Sequence, residues 1–313
     1  MTTQHEDTAG HDVAATDELN ESNARAALRA ACPQVGLSAE SAQLIRIGSN
    51  AVFRLYADHP VIARVARSTE CLAEAFKQVA VSRWLQDAGY PATQALPIDQ
   101  PVVAAGRVIT FWKSVTDREE YAPIADVALL IRHLHDLAAP PADISLPALE
   151  PFGSAGAPLP RFDGLEVEDA SYLTERLEWA RATFPTLPFT LPQGHIHGDA
   201  NVGNVLLTKD GSPVLIDLDS FAVGPREWDL IQTAIFADRL GWHTRDEYDT
   251  FVKVYGYDIT TWDAYPLLAE MRELAMTSWL SRQASASERS AREAAKRVQA
   301  LRVGGSRADW SPY

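Results

Sequence analysis

The stretch HIHGDANVGNVLLTKDGSPVLIDLD, residues 195–219, decides how the rest of the chain is read. Two apolar runs, VLL (205–207) and PVLIDL (213–218), flank the turn residues Lys209-Asp210-Gly211 and read as a β-hairpin. A hairpin folds its far ends together, so Asn204, just before the first strand, is expected beside Asp217, at the end of the second. Asp199 lies in the loop immediately ahead. Two carboxylates and an amide therefore converge without any long-range assumption. Such an oxygen-rich set suits Mg²⁺ rather than Zn²⁺. His195 and His197 alternate along an apparent strand and could face one way, but no Cys or third His stands nearby to complete a zinc set.

Phosphoryl transfer needs a carboxylate to orient and deprotonate an acceptor hydroxyl, with amide and carboxylate ligands for a metal bridging the phosphates. H-x-D-x-x-x-x-N followed by Asp after an apolar strand is the kinase arrangement of catalytic loop and metal aspartate. In this chain it reads His197-Gly198-Asp199, Asn204 and Asp217. Asp219 is open between a second metal-side carboxylate and a turn cap.

Outward from the motif, the N-terminal side is strand-rich. LIRIGSNAVFRLYADHPVIARVAR (44–67) carries two β-rich runs, a turn at Ala57-Asp58-His59-Pro60 and the run VIARV. An apolar helical spacing follows over 70–89, ending on Gly89 before Pro91. PVVAAGRVITFW (101–112) reads as a hairpin with its turn near Ala105-Gly106. Beyond it the chain turns helical: 124–138, 166–184, and from Glu227 to about Val303, with a Pro-rich connection over 140–162. Strands GHIHG and SPVLIDL bracket the motif. The pattern is α+β, a small sheet lobe followed by a larger, mostly helical lobe. The expected boundaries are an acidic disordered tail over 1–24, an N-terminal nucleotide-binding lobe over 25–112, and a C-terminal catalytic and substrate-binding lobe over 113–313.

HGDxxxxNVLL, VLIDLD and PREWDL (225–230) together resemble the aminoglycoside phosphotransferase and choline kinase-like family of small-molecule kinases. The resemblance implies a protein-kinase-like two-lobed fold, ATP or GTP with Mg²⁺ as cofactors, and transfer of the γ-phosphate to a small-molecule hydroxyl. It makes Asp199 the catalytic base, Asn204 and Asp217 the magnesium ligands, His197 the buried residue shaping the loop, and Asp229 the helix-start carboxylate bracing it. It sets Ser49 and Asn50 in the nucleotide-covering loop, and Arg64 as the cation for the α/β-phosphates. Its partner carboxylate should fall at Gln78, a departure from the pattern, with Glu74 one turn earlier as the alternative. TFWKS (110–114) takes the place of the adenine hinge, bringing in Phe111 and Lys113. Asp238, Glu270 and Glu273 on the C-terminal helices are candidate binders of ammonium groups on an aminoglycoside or amino sugar. A metabolic alcohol or sugar fits as well, and a catalytically idle nucleotide-binding protein on the same fold is the alternative of another class.

Composition sets the outer bounds. The 313 residues are 46% hydrophobic and 22% charged, with a net charge of −14. That charge opposes nucleic acid as a partner, because phosphate binding needs clustered Lys and Arg. A cationic acceptor would suit it. No apolar run reaches membrane-spanning length, and no secretory pattern opens the chain. Cys32 and Cys71 lack CxxC spacing, as expected of a reducing cytoplasm. A monomer or homodimer is expected.

Overall fold

The structure is a computed structural model that describes residues 18–313. It divides into two compact units, one made of residues up to Val79 with Gln94–Ser114, the other of Ala80–Thr93 with Val115–Tyr313. Most of the expected acidic tail, residues 1–17, lies outside the described residues. Its last part is helical instead. The first helix, α1, starts at Glu21, because Asn20 and Asn23 form a reciprocal capping box that satisfies two backbone donors.

The first unit is a five-stranded antiparallel sheet. Its strands are β1 (Gln43–Ile47), β2 (Ala51–Leu55), β3 (Val61–Val65), β4 (Val102–Ala104) and β5 (Arg107–Lys113), in spatial order β1-β2-β3-β5-β4. Alternation explains its sidedness. On β2 and β3 every second residue is buried, so Ala51, Phe53 and Leu55 share a face with Val61, Ala63 and Val65. Helix α1 (Glu21–Ala31) buries Ala24, Ala27, Leu28 and Ala31 in the same apolar cluster, the i, i+3, i+4, i+7 stripe of an amphipathic helix. The β4–β5 turn has positive φ at both Ala105 (48°) and Gly106 (71°), the conformation that matches the right-handed twist of the flanking strands. Helix α2 (Leu72–Asp87) leaves this unit at Val79.

The second unit is helical, with two short two-stranded ribbons. Its helices are α3 (Ile124–Asp136), α4 (Val167–Thr183), α5 (Glu227–Asp238), α6 (Arg245–Tyr255), α7 (Tyr265–Ser281) and α8 (Glu288–Val303). One ribbon pairs β7 (Val205–Leu207) with β8 (Pro213–Leu215), the expected hairpin. The other pairs β6 (Gln193–Ile196) with β9 (Ala222–Pro225). Strand β9 has no signal in the sequence, since AVGP combines the two residues most depleted from strands. Its Gly224 is required by packing: a Cβ there would stand 2.7 Å from Leu149 Cβ. Helix α5 is buried at every position from Glu227 to Phe236 and runs through the core of this unit. No helix among the described residues is long and apolar enough to cross a membrane.

Candidate active site

The site assembles at the ends of β6, β7 and β8 and on the first turns of α5. His197 and Gly198 follow β6, and both backbone N–H groups donate to the Asp229 carboxylate, at 2.8 Å to Oδ2 and 2.7 Å to Oδ1. Asp229 lies in the first turn of α5, where a negative charge is favoured. It is fully buried. Burial works against its charge, but the hydrogen bond from His135 Nε2 at 3.0 Å, the nearby imidazoles and the His197 N–H outweigh it and hold the carboxyl below the usual aspartate range. His135 is itself placed by the Tyr255 hydroxyl, 2.8 Å from its Nδ1.

Gly198 is the one residue type this loop accepts. Its φ is +84°, and a Cβ would lie 2.2 Å from the Ser220 carbonyl oxygen. The Trp228 indole N–H donates to the Gly198 carbonyl at 3.0 Å, so α5 grips both sides of the turn. His197 is fully buried, with Nε2 2.9 Å from the Ile216 carbonyl and Nδ1 accepting the Asp199 N–H at 3.3 Å. That network assigns the proton to Nε2 and ties the loop to the end of β8. His195 is engaged away from these groups. Its Nε2 donates to the Leu134 carbonyl at 2.7 Å and its ring packs edge-on to Trp84, while burial pulls its pKa below the ordinary histidine value.

Asp199, Asn204 and Asp217 come together as the hairpin geometry requires. The Ile216 N–H donates to the Asn204 carbonyl at 2.9 Å, setting Asp217 beside Asn204. The Asn204 amide nitrogen donates to Asp199 twice, to the carbonyl at 2.8 Å and to Oδ2 at 3.0 Å. Asn201 caps the intervening turn through Gly203 N–H at 2.8 Å and also binds the Asp199 carbonyl. Asp217 is left-handed, at φ 62° and ψ 69°, a conformation costly for any side chain. Asp219 falls in the single turn Leu218–Ser220 rather than on the strand, which ends at Leu215.

One participant has no sequence motif. Arg272 of α7 is buried, and its Nη2 donates to Asp199 Oδ1 at 2.6 Å. It also donates to Gln232 Oε1, and its guanidinium lies 4.9 Å from the Trp228 ring centroid. The only trace in the sequence is a single cation within the apolar positions of EMRELAM (270–276).

The sequence model of the "Phosphotransferase enzyme family" matches residues 42–274, which contain every residue of the site. The chain belongs to this family. Among solved structures, the phosphotransferase is similar to an amicoumacin kinase in complex with AMP-PNP, Ca²⁺ and Ami, at 11% identity and TM-score 0.65, covering 87% of this chain and 91% of that one. It is also similar to a spectinomycin phosphotransferase in complex with ADP and spectinomycin, at 14% identity and TM-score 0.58, over 85% and 90% of the two chains. A choline kinase from Streptococcus pneumoniae matches at 14% identity and TM-score 0.55, over 84% and 93%. At these identities the likeness establishes the kinase-like fold. No curated protein matches in sequence.

The remaining expected residues are distributed as follows. Ser49 and Asn50 form the β1–β2 turn, where the Gly48 N–H donates to the Asn50 carbonyl at 2.9 Å. Arg67, which sequence reasoning passed over, donates to the carbonyls of Gly48 and Ser49 at 3.0 and 3.3 Å. Arg64 lies on β3 opposite Val52 and Thr110. Glu74 pairs with Lys77 at 2.7 Å and accepts from Gln78 at 3.4 Å.

The first four residues of TFWKS belong to strand β5. The Phe111 N–H is taken by Gln100 Oε1, the Lys113 N–H by the Gln94 carbonyl and the Ser114 N–H by the Pro60 carbonyl. Phe111 is a core side chain, and Lys113 Nζ is bonded to Gln94.

The three carboxylates expected to face a cationic acceptor are engaged within the chain. Glu273 is fully buried between Arg239 (3.1 Å) and Arg307 (3.2 Å), Glu270 pairs with Arg176, and Asp238 accepts from the Tyr265 hydroxyl at 2.8 Å. Glu273 is therefore a structural charge. Sequence spacing could not reveal this, because its partners come from just after α5 and from beyond α8.

Proposed function

We propose that the protein transfers the γ-phosphate of a nucleoside triphosphate to a hydroxyl group of a small molecule, with Asp199 as the base. The convergence of Asp199, Asn204 and Asp217 on one spot carries this reading. In it, Asp199 accepts the proton of the acceptor hydroxyl as its oxygen bonds to the γ-phosphorus. The bond from that phosphorus to the β,γ-bridging oxygen breaks, releasing the nucleoside diphosphate. Asp199 remains partly open to solvent, its side chain 41% exposed, as a group that must meet a substrate requires.

The donors suit Mg²⁺. Both hydrogen bonds from the Asn204 amide nitrogen go to Asp199, leaving its Oδ1 as the face toward a cation, and Asp217 adds a carboxylate at the neighbouring strand end. Mg²⁺ is commonly held by one or two such groups together with substrate phosphates. It would supply charge neutralisation to the phosphates. ATP or GTP would serve as donor, and Arg64, Ser49 and Asn50 are the residues of the first unit proposed to contact it.

The acceptor is proposed to be a hydroxyl compound of the kind the antibiotic and choline kinases above act on. With Asp238, Glu270 and Glu273 engaged inside the chain, their carboxylates no longer argue for a polycationic acceptor over a neutral alcohol or sugar. The test is nucleotide consumption by wild type and Asp199→Ala, with Mg²⁺, over aminoglycosides, amino alcohols, sugars and nucleosides. Undiminished transfer by Asp199→Ala would sink the mechanism. Tight MgATP binding without turnover on any acceptor would favour the idle, regulatory reading.

A further inference from the structure

Arg272 goes beyond the motif residues, and its role rests on the reading of Asp199 as the base. Its surroundings are built from α5. Trp228 lies under the guanidinium at 4.9 Å, and Gln232, one turn on, accepts from it. The same Trp228 donates to the Gly198 carbonyl at 3.0 Å, so one indole supports both the arginine and the turn that carries Asp199. The two carboxylate oxygens of Asp199 are divided between elements, Oδ1 to Arg272 at 2.6 Å and Oδ2 to Asn204 at 3.0 Å. A carboxylate held at both oxygens has one rotamer. A buried arginine satisfied by a half-exposed aspartate is also a poor device for stability alone, because the desolvation of the cation offsets much of the attraction.

We infer that Arg272 is a positioning residue of the phosphotransfer reaction, fixing the Asp199 carboxylate in the orientation from which it receives the acceptor proton. A reacting group displaced by about 1 Å can lose about 100-fold in rate. The experiment measures steady-state MgATP turnover, with the best acceptor of the panel or with water where none is better. Arg272→Ala is expected to lower kcat by about 100-fold while the nucleotide KM stays within about threefold, and added guanidinium is expected to restore part of the loss. In an Asp199→Asn background the same substitution is expected to change residual turnover by no more than about twofold, since it acts through that carboxylate.

Wild-type kcat in folded Arg272→Ala, or an equal loss in both backgrounds, overturns the inference. Should the alanine variant not fold, Arg272→Gln keeps a polar side chain, shorter and without charge or fork, and wild-type kcat there overturns it equally. Full activity in Asp199→Asn alone overturns the base assignment and this inference with it. An inactive Asp199→Asn beside wild-type-like Arg272 variants overturns only the inference.

Discussion

Two non-glycine residues among those described have positive φ, Ala105 at 48° and Asp217 at 62°, and each belongs to a β-hairpin. Ala105 is the first turn residue of β4–β5, followed by Gly106, which shares the left-handed conformation. Asp217 stands past the end of β8, away from its own turn, where Gly211 supplies the positive φ. In the first hairpin the conformation serves the connection, and glycine would serve better. In the second it sets a carboxylate next to Asn204, and glycine would remove that group. Backbone strain at a turn is tolerated geometry, whereas strain at a strand end beside other polar side chains is what a functional role would require.

That contrast can be broken experimentally, and the largest effect belongs to the second hairpin. Asp217→Gly is expected to relieve the backbone strain, yet to lower Mg²⁺-dependent turnover by about 100-fold or more, on the scale of a lost catalytic charge interaction. A glycine variant as active as wild type would remove Asp217 from the site. Asp199→Ala is expected to reduce kcat by a factor between about 100 and 10,000. Retained nucleotide binding, measured by calorimetry, would separate this from unfolding.

Next in size is the brace behind the loop. Asp229→Ala strands the His197 and Gly198 N–H groups in a buried setting, at a cost of about 2–3 kcal/mol seen as a lower denaturation midpoint. An unchanged midpoint would mean that the loop is held by other contacts. Ala105→Gly should instead stabilise the protein by about 1 kcal/mol, with turnover unaltered. A destabilised Ala105→Gly would show that its methyl group contributes packing that the turn needs.

The smallest effect is in pH dependence. Burial lowers the pKa of His195 in the folded chain, so the unfolded chain binds more protons there. Stability from the neutral ring is complete above the ordinary histidine value of about 6.5 and is lost as pH falls through the lower folded value. Asp229, also held down, adds a second loss only at more acid pH, below its ordinary value of 3.8. Thermal melts of His195→Gln should shrink the first of these windows, which half-buried His243 shares, and leave the second. Identical pH profiles for variant and wild type would assign the first window to another group.

Local pattern explains why so much of the site was legible. Asp199, Asn204 and Asp217 lie within 19 residues, and a hairpin between short apolar strands brings its ends together whatever surrounds it. The helix–strand order was legible for the same reason, since period 2 and period 3.6 are local properties. Strand β9 was not, because Ala222–Pro225 is a strand only by virtue of pairing with β6. His135 was not legible either, for nothing near RHLHD shows that a buried carboxylate 94 residues away accepts a hydrogen bond from its Nε2. The N–H groups of Phe111 and Lys113 in the expected hinge are already paired within the chain. Position along the chain is visible in sequence, but whether an N–H is already spoken for by Gln100 or Gln94 is not.

The sequence by itself thus determined the family and the order of elements: the HGD loop and its hairpin, on a sheet lobe followed by a helical lobe. Each of those conclusions depends on residues close in the chain, where backbone geometry leaves few alternatives. Tertiary structure alone decided the electrostatics around that loop. It paired Arg272 with Asp199, closed Glu273 between Arg239 and Arg307, and braced the loop on Asp229 and His135. Charges act through space and burial, and neither is written in the spacing of residues along a chain.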